Sequence, residues 1–534
     1  MRVADFFCGA GGFSEGFRQA GFELCFAVDK WEPAINTYKA NKPQCQVIQD
    51  DVIRLSYLPD DEFDKLIPDT EIIIGSPPCV AFSNSNKSGN GDKALGIKLL
   101  EAYLRIVARK KFKKNSILQY WVLENVPNIQ KYIKKEYHAR DLGLNGDFVL
   151  HPLQHASIYN AKYFGAPTNR KRFLCGEFPP LVATHTEESV VTLGQILDSL
   201  KLSGSPEQII QDFNYPNLNL PAVQVSDHNY VCELQPFEWK TTKRLKEDRG
   251  YMGKMSFPEN LNLPARTVMA TMSSSSRESM ILELGKNRYR LPTVREAASM
   301  MSFPIDYKFY GESKGIKHTL VGNAVPPKLS YAIAKAIAVD AGKPVPESYI
   351  PIKHDTNIPF IDLNGKRFPK KKENPKRPLA KFKYHIPYMI INAFRVELTN
   401  YHSNFDSQSF YWNAEIHYSQ GKKRARKYEP QIPSNMWDED LHKKINLFIA
   451  DKKDYICSSF NEFQKIYCLT SAERSAQRYY GPFELLESIK TFIIKNISNK
   501  DMSQLIQVSS ELPKFPKPIL LGYYIINRML ELMK

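Results

Sequence analysis

Hydrophobic and polar positions follow a regular order in the first third of the chain, where short apolar runs are separated by amphipathic stretches. The apolar runs predict strands at residues 3–7, 24–28, 71–74 and 120–123. The stretches between them predict helices at residues 14–20, 33–40 and 93–111. Strands that alternate with helices are typical of a parallel sheet covered on both faces, so we expect an α/β fold with a mostly parallel sheet.

The pattern changes farther along the chain. Periodicity is lost near residue 179 in a stretch rich in Pro, Asn and Gln, and helical segments return at 295–301 and 328–341. A Pro- and Lys-rich stretch and then a tail of mixed strand and helix patterns follow. The expected segments are a first domain at 1–178, an irregular region at 179–262, a return to the first domain at 263–345, a basic linker at 346–383 and an α+β extension at 384–534.

Composition narrows the class of protein. The 534 residues are 43% hydrophobic and 24% charged, as in globular proteins with a large core. Eight cysteines without a CxxC pair argue against a disulfide scaffold and a zinc ribbon, so no metal is expected. No apolar run reaches transmembrane length, and the acidic, glycine-rich start is unlike a signal peptide. These features predict a protein of the reducing cytoplasm with no membrane partner.

The net charge of +16 suggests a polyanionic partner such as nucleic acid. The charge is unevenly distributed, because residues 351–534 contain 30 Lys and Arg against 19 Asp and Glu. Most of the excess therefore lies in the last third of the chain.

A glycine-rich turn follows the first predicted strand, with the glycines at Gly9, Gly11 and Gly12. Such a turn lets the backbone approach a ligand closely and presents helix N–H groups. Asp29 ends the next strand 20 residues after Gly9, where an acid binds ribose hydroxyls in nucleoside sites. A plain tight turn is the alternative. Because the pattern is not GxGxxG, an adenosine-type cofactor without a long phosphate chain is favoured.

A cysteine, Cys79, follows Pro77 and Pro78 just beyond a strand. The prolines stiffen the loop, and strand ends at a topological switch are where α/β sheets bind ligands. A buried, unreactive cysteine is the commoner alternative. The polar, glycine-containing stretch at 84–92 is typical of a lid.

Three further motifs carry polar side chains that suit a reaction centre. Glu124 follows the fourth strand and could face Cys79 as an acid. Arg170 and Arg172 lie two apart, so on an extended segment they would point to one face and bind a carbonyl or phosphate. Asn323, with Gly322 before it, precedes a helix that starts at a proline. A helix-terminal acid, a solvated charge run and a simple turn are the respective alternatives.

With these motifs in order, residues 1–341 resemble the DNA cytosine-5 methyltransferases, and the stretch at 263–268 matches another block of that family. The resemblance implies a Rossmann-like methyltransferase with S-adenosyl-L-methionine as cofactor and double-stranded DNA as partner. It implies sequence-specific methylation of C5 of a flipped-out cytosine in a restriction–modification system, beside a separate endonuclease. We expect a monomer in the bacterial cytoplasm or nucleoid.

Each motif residue receives a role from the resemblance. Cys79 corresponds to the nucleophile that adds to cytosine C6, Glu124 to the acid at N3, and Arg172, with Arg170, to the pair near O2. A positive environment would favour the thiolate form of the cysteine. The implied cofactor residues are Phe7, Gly9, Gly11, Gly12, Asp29, Lys30, Asp51, Val52, Pro78, Leu99, Asn323, Ala324 and Val325. Val80, Thr168 and Lys30 depart from the usual family residues, and the first two departures concern loop and DNA-backbone contacts.

The irregular region 179–262 corresponds to the part that reads DNA sequence in this family. Candidate DNA contacts there and elsewhere are Ser83, Arg244, Arg249, Lys422 and Arg424, with solvated surface as the alternative. The tail from 346 lies outside the resemblance, and we interpret it as an accessory domain that binds DNA. Alternatives are a tRNA cytosine-5 methyltransferase, a catalytically silent DNA-binding regulator, and an endonuclease fused in the tail.

Overall fold

The structure is a computed structural model that describes residues 1–78, 92–202, 205–248, 255–364, 366, 368–419 and 425–533. It divides into two compact units, each built from two separate stretches of the chain. Unit 1 comprises Met1–Leu234 and Pro258–Pro369, and unit 2 comprises Gln235–Phe257 and Lys370–Lys534. The chain therefore passes between the units three times.

Unit 1 begins with alternating strands and helices, as the hydrophobic pattern predicts. The first strands are β1 (Arg2–Phe6), β2 (Glu23–Asp29), β3 (Gln46–Gln49), β4 (Ile72–Gly75) and β5 (Tyr120–Asn125). The helices among them are α1 (Gly12–Gln19), α2 (Glu32–Asn41), α3 (Val52–Ser56), α4 (Asp60–Leu66) and α5 (Lys93–Lys111). The next strands are β6 (Tyr137–His138), β7 (Val149–Leu150), β8 (Ser157–Asn160), β9 (Thr168–Asn169) and β10 (Lys171–Glu177).

Seven of these strands form one sheet in the order β3-β2-β1-β4-β5-β10-β8. The first five are parallel, and β10 pairs antiparallel with both β5 and β8. The prediction of an α/β fold with a mostly parallel sheet is confirmed. Strand order reverses between β1 and β4, so the carboxyl ends of these two strands border the crevice where such sheets bind ligands.

The rest of the first two thirds of the chain is less regular. Its helices are α6 (Leu193–Leu200), α7 (Pro236–Glu247), α8 (Val294–Met300), α9 (Lys314–Asn323) and α10 (Pro327–Asp340), of which α7 belongs to unit 2. Its strands are β11 (Ile209–Gln211), β12 (Asn219–Pro221), β13 (Cys232–Glu233), β14 (Ala265–Arg266), β15 (Leu282–Gly285) and β16 (Arg288–Leu291). They form small sheets, and β14 pairs parallel with β9.

Helix α10 packs against α1. A Cβ at Gly16 would lie 2.2 Å from the backbone nitrogen of Tyr331, so the close approach of the two helices requires glycine there. Phe13 and Phe17 on α1 share a buried cluster with Ile333 on α10. This contact holds the turn before α1 against the turn before α10.

Residues 346–364 pack on unit 1. The Tyr349 hydroxyl donates a hydrogen bond to Asp306 at 2.6 Å, and the Leu363 backbone N–H donates to Asp227 at 3.1 Å. Asp227 also binds the buried Lys317 ammonium at 2.7 Å. The stretch expected to be a linker at 346–383 is therefore divided, because polar anchors attach its first half to unit 1 and residues 370–383 belong to unit 2.

Unit 2 is an α+β structure. Its C-terminal stretch contains the strands β17 (Lys383–His385), β18 (Phe394–Thr399), β19 (Asn413–Tyr418), β20 (Arg426–Tyr428), β21 (Leu505–Ile506) and β22 (Phe515–Pro516). The helices are α11 (Glu439–Lys452), α12 (Phe460–Cys468), α13 (Ser471–Ala476), α14 (Pro482–Asn496) and α15 (Lys517–Glu531). Strands β17 to β20 form an antiparallel sheet in sequence order.

The core of unit 2 lies between this sheet and α15. Val396, Leu398 and Ile416 on the sheet cluster with Ile519 and Ile526 on α15, all fully buried. Although α15 is strongly apolar, none of the helices in the described ranges is long and apolar enough to cross a membrane.

The expected irregular region 179–262 is not one structural unit. Its first part lies in unit 1, whereas α7 and the described residues around it belong to unit 2 with the tail. The boundary expected at 384 likewise falls at 370. Local sequence pattern does not contain this information, because α7 is held by side chains more than 100 residues farther along the chain.

Candidate active site

The candidate site lies at the carboxyl edge of the central sheet, where the turns after β1, β4 and β5 meet. Phe6 is in register with Gly75, and Gly75 with Leu123. The Ser76 N–H donates to the Phe6 carbonyl at 3.2 Å, which joins the first two turns directly. Three motifs that are up to about 120 residues apart in sequence are thus adjacent in the fold.

The glycine-rich turn is bound to Asp29 at the end of β2. The Gly9 N–H donates to one carboxylate oxygen of Asp29 at 2.9 Å, and the Trp31 N–H donates to the other at 2.9 Å. Burial raises the pKa of Asp29, while these N–H groups oppose the shift. Each oxygen retains a lone pair, so the carboxylate can still accept from ligand hydroxyls.

The turn has the conformation that its glycines permit. Phe7, Gly9 and Gly11 have φ angles of 57°, 51° and 79°, in the left-handed region. A Cβ on Gly9 would meet open space, whereas one on Gly12 would lie 2.3 Å from the Val325 carbonyl oxygen. The predicted cofactor residues of the first and last motifs are therefore in contact, with space for a ligand at Gly9.

The remaining predicted cofactor residues lie nearby in sequence or at strand ends. Lys30 forms an ion pair with Asp51 at 2.9 Å, and Asp51 caps α3 by accepting from the Ile53 N–H at 2.9 Å. Val52 is buried, Leu99 is half-buried, and Pro78 and Asn323 are exposed. Ala324 is buried beside Gly12.

A buried cluster of Tyr307, Lys42 and Glu15 supports the glycine-rich turn, and the sequence analysis did not predict it. The Tyr307 hydroxyl donates to the Ala10 carbonyl at 2.5 Å and accepts from the Lys42 ammonium at 2.7 Å. Lys42 also lies 3.4 Å from the buried Glu15 carboxylate. Burial lowers the pKa of Lys42 to about 8. A lysine after α2 and a tyrosine after α8 give no local signal, because only the fold brings them together.

Glu124 is the centre of a second polar group at the end of β5. One of its oxygens accepts from Ser76 Oγ at 2.5 Å, and the other lies 2.8 Å from Arg172 Nε. Glu124 is 4% and Arg172 8% exposed, so the ion pair is almost fully removed from water. Glu124 is opposite Leu174 on the antiparallel strand β10, two residues from Arg172, which explains the pairing.

The loop that leads to Cys79 is anchored to the same strand end. The Asn125 side-chain amide donates to the Pro77 carbonyl at 2.9 Å. Cys79, and Ser83 after it, lie outside the described residues. Ser76 and Pro77, which precede the cysteine by three and two residues, are thus bound to Glu124 and Asn125 at the end of β5.

Arg170 has a different target from Arg172, contrary to the expectation that they point to one face. Its guanidinium donates to the carbonyls of Val268, Gly322 and Ala324 at 2.9–3.1 Å. The chain passes from β9 to β10 at Arg170, so the alternation of an uninterrupted strand does not apply. Arg170 thus joins its own segment to Val268 and to the turn at 322–324 through their backbone carbonyls.

The expected DNA contact at Arg244 is also corrected. Its guanidinium lies 3.6 Å from the ring centroid of Phe483 and 4.9 Å from that of Tyr384, within unit 2. Burial lowers the pKa of Arg244, whereas the two ring faces attract its cationic form. Arg249, Lys422 and Arg424 lie outside the described residues.

The tail contains one conspicuous polar cluster, on the sheet face opposite α15. Glu415 accepts from or pairs with His402, His417 and Lys427 at 2.7–2.9 Å. In the part of the chain that the structure describes, no group of three or more His, Cys, Asp or Glu is arranged to hold a metal ion.

Comparison with known proteins places this geometry in a family. Two type II methyltransferases are similar to the chain: M.MthTI of Methanothermobacter thermautotrophicus is 28% identical over 361 residues, and M.HgiDI of Herpetosiphon aurantiacus is 27% identical over 352. Each alignment covers 64% of this chain and 98% or 96% of the relative. The tail is thus additional to these relatives.

A putative DNA modification methyltransferase structure from E. coli is 21% identical, with a TM-score of 0.42, and covers 64% of this chain and 100% of that one. The family model for C-5 cytosine-specific DNA methylase matches residues 1–339, which contain β1 to β16 and every described residue of the candidate site. The chain is therefore a member of the C-5 cytosine-specific DNA methylase family, and it is an enzyme.

Proposed function

We propose that the protein methylates C5 of cytosine within a specific sequence of double-stranded DNA, with S-adenosyl-L-methionine as methyl donor. We propose that the methylation protects host DNA from a separate restriction endonuclease, a role that the similarity to type II methyltransferases supports. We propose that the enzyme acts as a monomer in the bacterial cytoplasm. The observation that carries this proposal is the buried Glu124 and Arg172 pair beside the loop that leads to Cys79.

The cofactor residues fit a nucleoside ligand. Gly9 faces open space at a positive φ, and the Asp29 oxygens retain lone pairs for ribose hydroxyls. Asp51 lies near the end of the neighbouring strand, β3, and presents a carboxylate for an adenine amino group. When bound, S-adenosyl-L-methionine supplies an electrophilic methyl group on its sulfonium.

Each of three residues, Glu124, Arg172 and Cys79, contacts a different part of the cytosine ring. Cys79 forms a covalent bond to C6 as a thiolate, and Glu124 hydrogen-bonds N3 and the amino group so that electron density moves to C5. Arg172 binds O2. C5 would take the methyl group as the bond between that carbon and the donor's sulfonium sulfur breaks, leaving the donor as a neutral thioether. A base would then remove the C5 proton, and cleavage of the bond between Cys79 and C6 would regenerate the thiolate and the aromatic ring. Because C5 and C6 are inaccessible in a stacked duplex, the cytosine must be flipped out.

Ser76 and Arg172 fix the Glu124 carboxyl before substrate arrives. Each holds one oxygen, so the carboxyl plane is set by Ser76, just after β4, and by Arg172 on β10, and no side-chain reorganisation is needed during the reaction. The low exposure of the pair strengthens each hydrogen bond that it makes with the base.

Incubation with a radiolabelled methyl donor and either duplex DNA or tRNA tests the substrate class. We expect label in duplex DNA. Label confined to tRNA would establish the tRNA methyltransferase alternative, and no transfer to either would favour the silent regulator.

Duplex DNA that contains 5-fluorocytosine tests the covalent step. Fluorine at C5 prevents loss of the final proton, so the wild-type protein should remain covalently attached to DNA on a denaturing gel. Cys79→Ser should give no adduct, with Cys175→Ser, at a buried cysteine of β10, as the matched control. An adduct that persists in Cys79→Ser would contradict the assigned nucleophile.

A further inference from the structure

A short irregular segment at the start of the C-terminal stretch of unit 2 is strongly basic. Residues 370–383, here called the basic strap, contain seven Lys or Arg and one acidic residue, Glu373. Lys370, Lys372, Arg377 and Lys381 are exposed. The strap therefore presents a dense row of positive charge to solvent.

Unit 2 orders the strap through its backbone. The Gln464 side-chain amide on α12 donates to the carbonyls of Pro378 and Ala380, both at 2.9 Å, and the Tyr467 hydroxyl donates to that of Lys381 at 3.2 Å. Phe382 is buried in the core of the unit. Main-chain atoms and one aromatic ring make these attachments, and two basic side chains add contacts, since Lys381 packs over Phe405 and Lys383 pairs with Glu397.

Helix α7, from the region expected to read DNA, is fastened to the same unit. Arg244 packs on Phe483 and Tyr384, and the Asp248 carboxylate accepts from the Tyr384 hydroxyl at 2.6 Å and the Tyr388 N–H at 2.9 Å. Asp248 also lies 2.9 Å from His385 Nε2. The inserted segment and the tail therefore form one body.

A further contact joins α7 to the strap itself. Lys371 Nζ lies 3.6 Å from the Glu238 carboxylate on the first turn of the helix. The strap and α7 consequently belong to one surface assembly within unit 2, although they are more than 120 residues apart in sequence.

The net charge of the protein is concentrated in unit 2. Its two stretches contain 33 Lys and Arg against 20 Asp and Glu, whereas unit 1 contains 40 against 37. An exposed basic surface with this excess is complementary to the phosphates of duplex DNA, which release counterions when cations replace them.

We propose that unit 2 is the DNA-gripping unit of the enzyme, in which the basic strap contacts the phosphate backbone while α7 is held in fixed register beside it. This inference rests on the proposed function, because it takes duplex DNA as the substrate. Recognition is then built from two separate stretches of chain, the insertion at 235–257 and the tail from 370. Transfer of the region 179–262 alone to another methylase would not transfer DNA binding.

The test compares two full-length variants that lose the same charge from the same unit. The strap variant carries Lys370→Gln, Lys372→Gln, Arg377→Gln and Lys381→Gln, and the control carries Lys443→Gln, Lys465→Gln, Lys495→Gln and Lys500→Gln. All eight side chains are exposed. Binding to a fluorescent 30-base-pair duplex is measured from 50 to 300 mM salt, together with methyl transfer at saturating DNA.

In the strap variant, the negative slope of log affinity against log salt should be shallower by about 3, since each phosphate contact contributes about 0.9 to its magnitude. Its affinity at 150 mM salt should fall by at least about tenfold, its turnover at saturating DNA should stay within twofold, and the control should change the slope by less than about 1. Equal slopes in the two variants, or an unchanged strap variant, would overturn the inference and leave the proposed function intact. A wild-type protein that binds and methylates no duplex DNA would overturn both.

Discussion

Unit 1 and unit 2 use charged residues in opposite ways. In unit 1 basic and acidic residues are nearly equal in number, and many are buried as pairs, such as Lys317 with Asp227 and Arg172 with Glu124. In unit 2 the basic residues exceed the acidic by 13, and the strap leaves them exposed. The difference teaches that methyl transfer depends on a few directed groups, whereas holding a polyanion depends on unpaired surface charge.

The largest effect that would sharpen this comparison concerns Glu124. Glu124→Gln retains the shape of the side chain but removes its acid function, so turnover should fall by about 10²- to 10⁴-fold. DNA affinity should change far less than turnover, because Glu124 contacts only the flipped base whereas phosphate contacts dominate affinity. Single-turnover methylation and equilibrium binding measure the two quantities. Glu312→Gln, at an exposed glutamate of unit 1, is the control, and a parallel loss of DNA affinity in Glu124→Gln would break the distinction between the units.

Removal of the tail should have the next largest effect. A chain that ends at Pro369 retains the anchors of 346–364 on unit 1 but loses most of unit 2, so DNA affinity should fall by at least about 10²-fold. The remaining α7 would also lose its aromatic partners and expose buried surface. Gel-shift titration and light scattering report on affinity and aggregation.

A truncation at residue 345 distinguishes the two halves of the expected linker. It removes Tyr349 and Leu363 from unit 1, so its melting temperature should lie below that of the chain ending at 369. Equal melting temperatures would show that residues 346–364 do not stabilise unit 1.

Support of the glycine-rich turn predicts a smaller effect. Tyr307→Phe removes the hydrogen bond to the Ala10 carbonyl and should cost about 1–2 kcal/mol of stability, because buried acceptors and donors lose their partner. The KM for the methyl donor should rise several-fold while DNA affinity is unchanged. Tyr310→Phe, in the same segment, should be near neutral in thermal melting and donor titration. Equal KM changes in both variants would contradict a role for Tyr307 in positioning the turn.

The smallest expected effect is a pH dependence located in unit 2. Burial would raise the pKa of Glu415, but hydrogen bonds from His402, Lys427 and His417 lower it to about 2 from an ordinary value near 4.5. A lowered folded-state pKa stabilises the protein above pH 4.5, and this contribution is lost as pH falls towards 2. The melting temperatures of wild type and Glu415→Gln should therefore converge over that interval.

The matched control is Glu429→Gln, at an exposed glutamate just after β20. Its melting temperature should differ from that of wild type by a constant amount across this pH range. If the melting temperatures of wild type and Glu415→Gln differ by the same amount at every pH from 5 to 2, the assignment of this pH dependence to Glu415 is wrong.

Much of unit 1 could be predicted from sequence because its determinants are local. Apolar runs and glycine turns identify β1, β2, β4 and β5 within a few residues but not β3, and the helix predicted at 93–111 is α5. The resemblance assigns Glu124 and Arg172 to the same cytosine without predicting contact between them, and in the structure they lie 2.8 Å apart. The assigned roles of Cys79 and of the cofactor residues remain predictions.

The misinterpreted residues depend on long-range packing. Arginine is a residue type common in ligand contacts. In this fold, however, Arg170 donates hydrogen bonds to backbone carbonyls, and Arg244 packs against aromatic rings. Nothing near α7 in sequence indicates that its partners lie beyond residue 370. The spacing of apolar residues predicts periodic helices and strands well. It does not predict which distant segment packs against an isolated helix.

The division of unit 2 between two stretches has a consequence for the timing of synthesis. Phe483 leaves the ribosome 239 residues after Arg244, the side chain that it packs against. At about 5–20 residues per second, α7 waits roughly 12–48 s for its partner. During that interval unit 1 can complete its parallel sheet, while the inserted helix stays unprotected. Slow codons or an arrested ribosome before residue 483 would therefore expose this helix to proteases and chaperones for longer than any other part of the DNA-gripping unit.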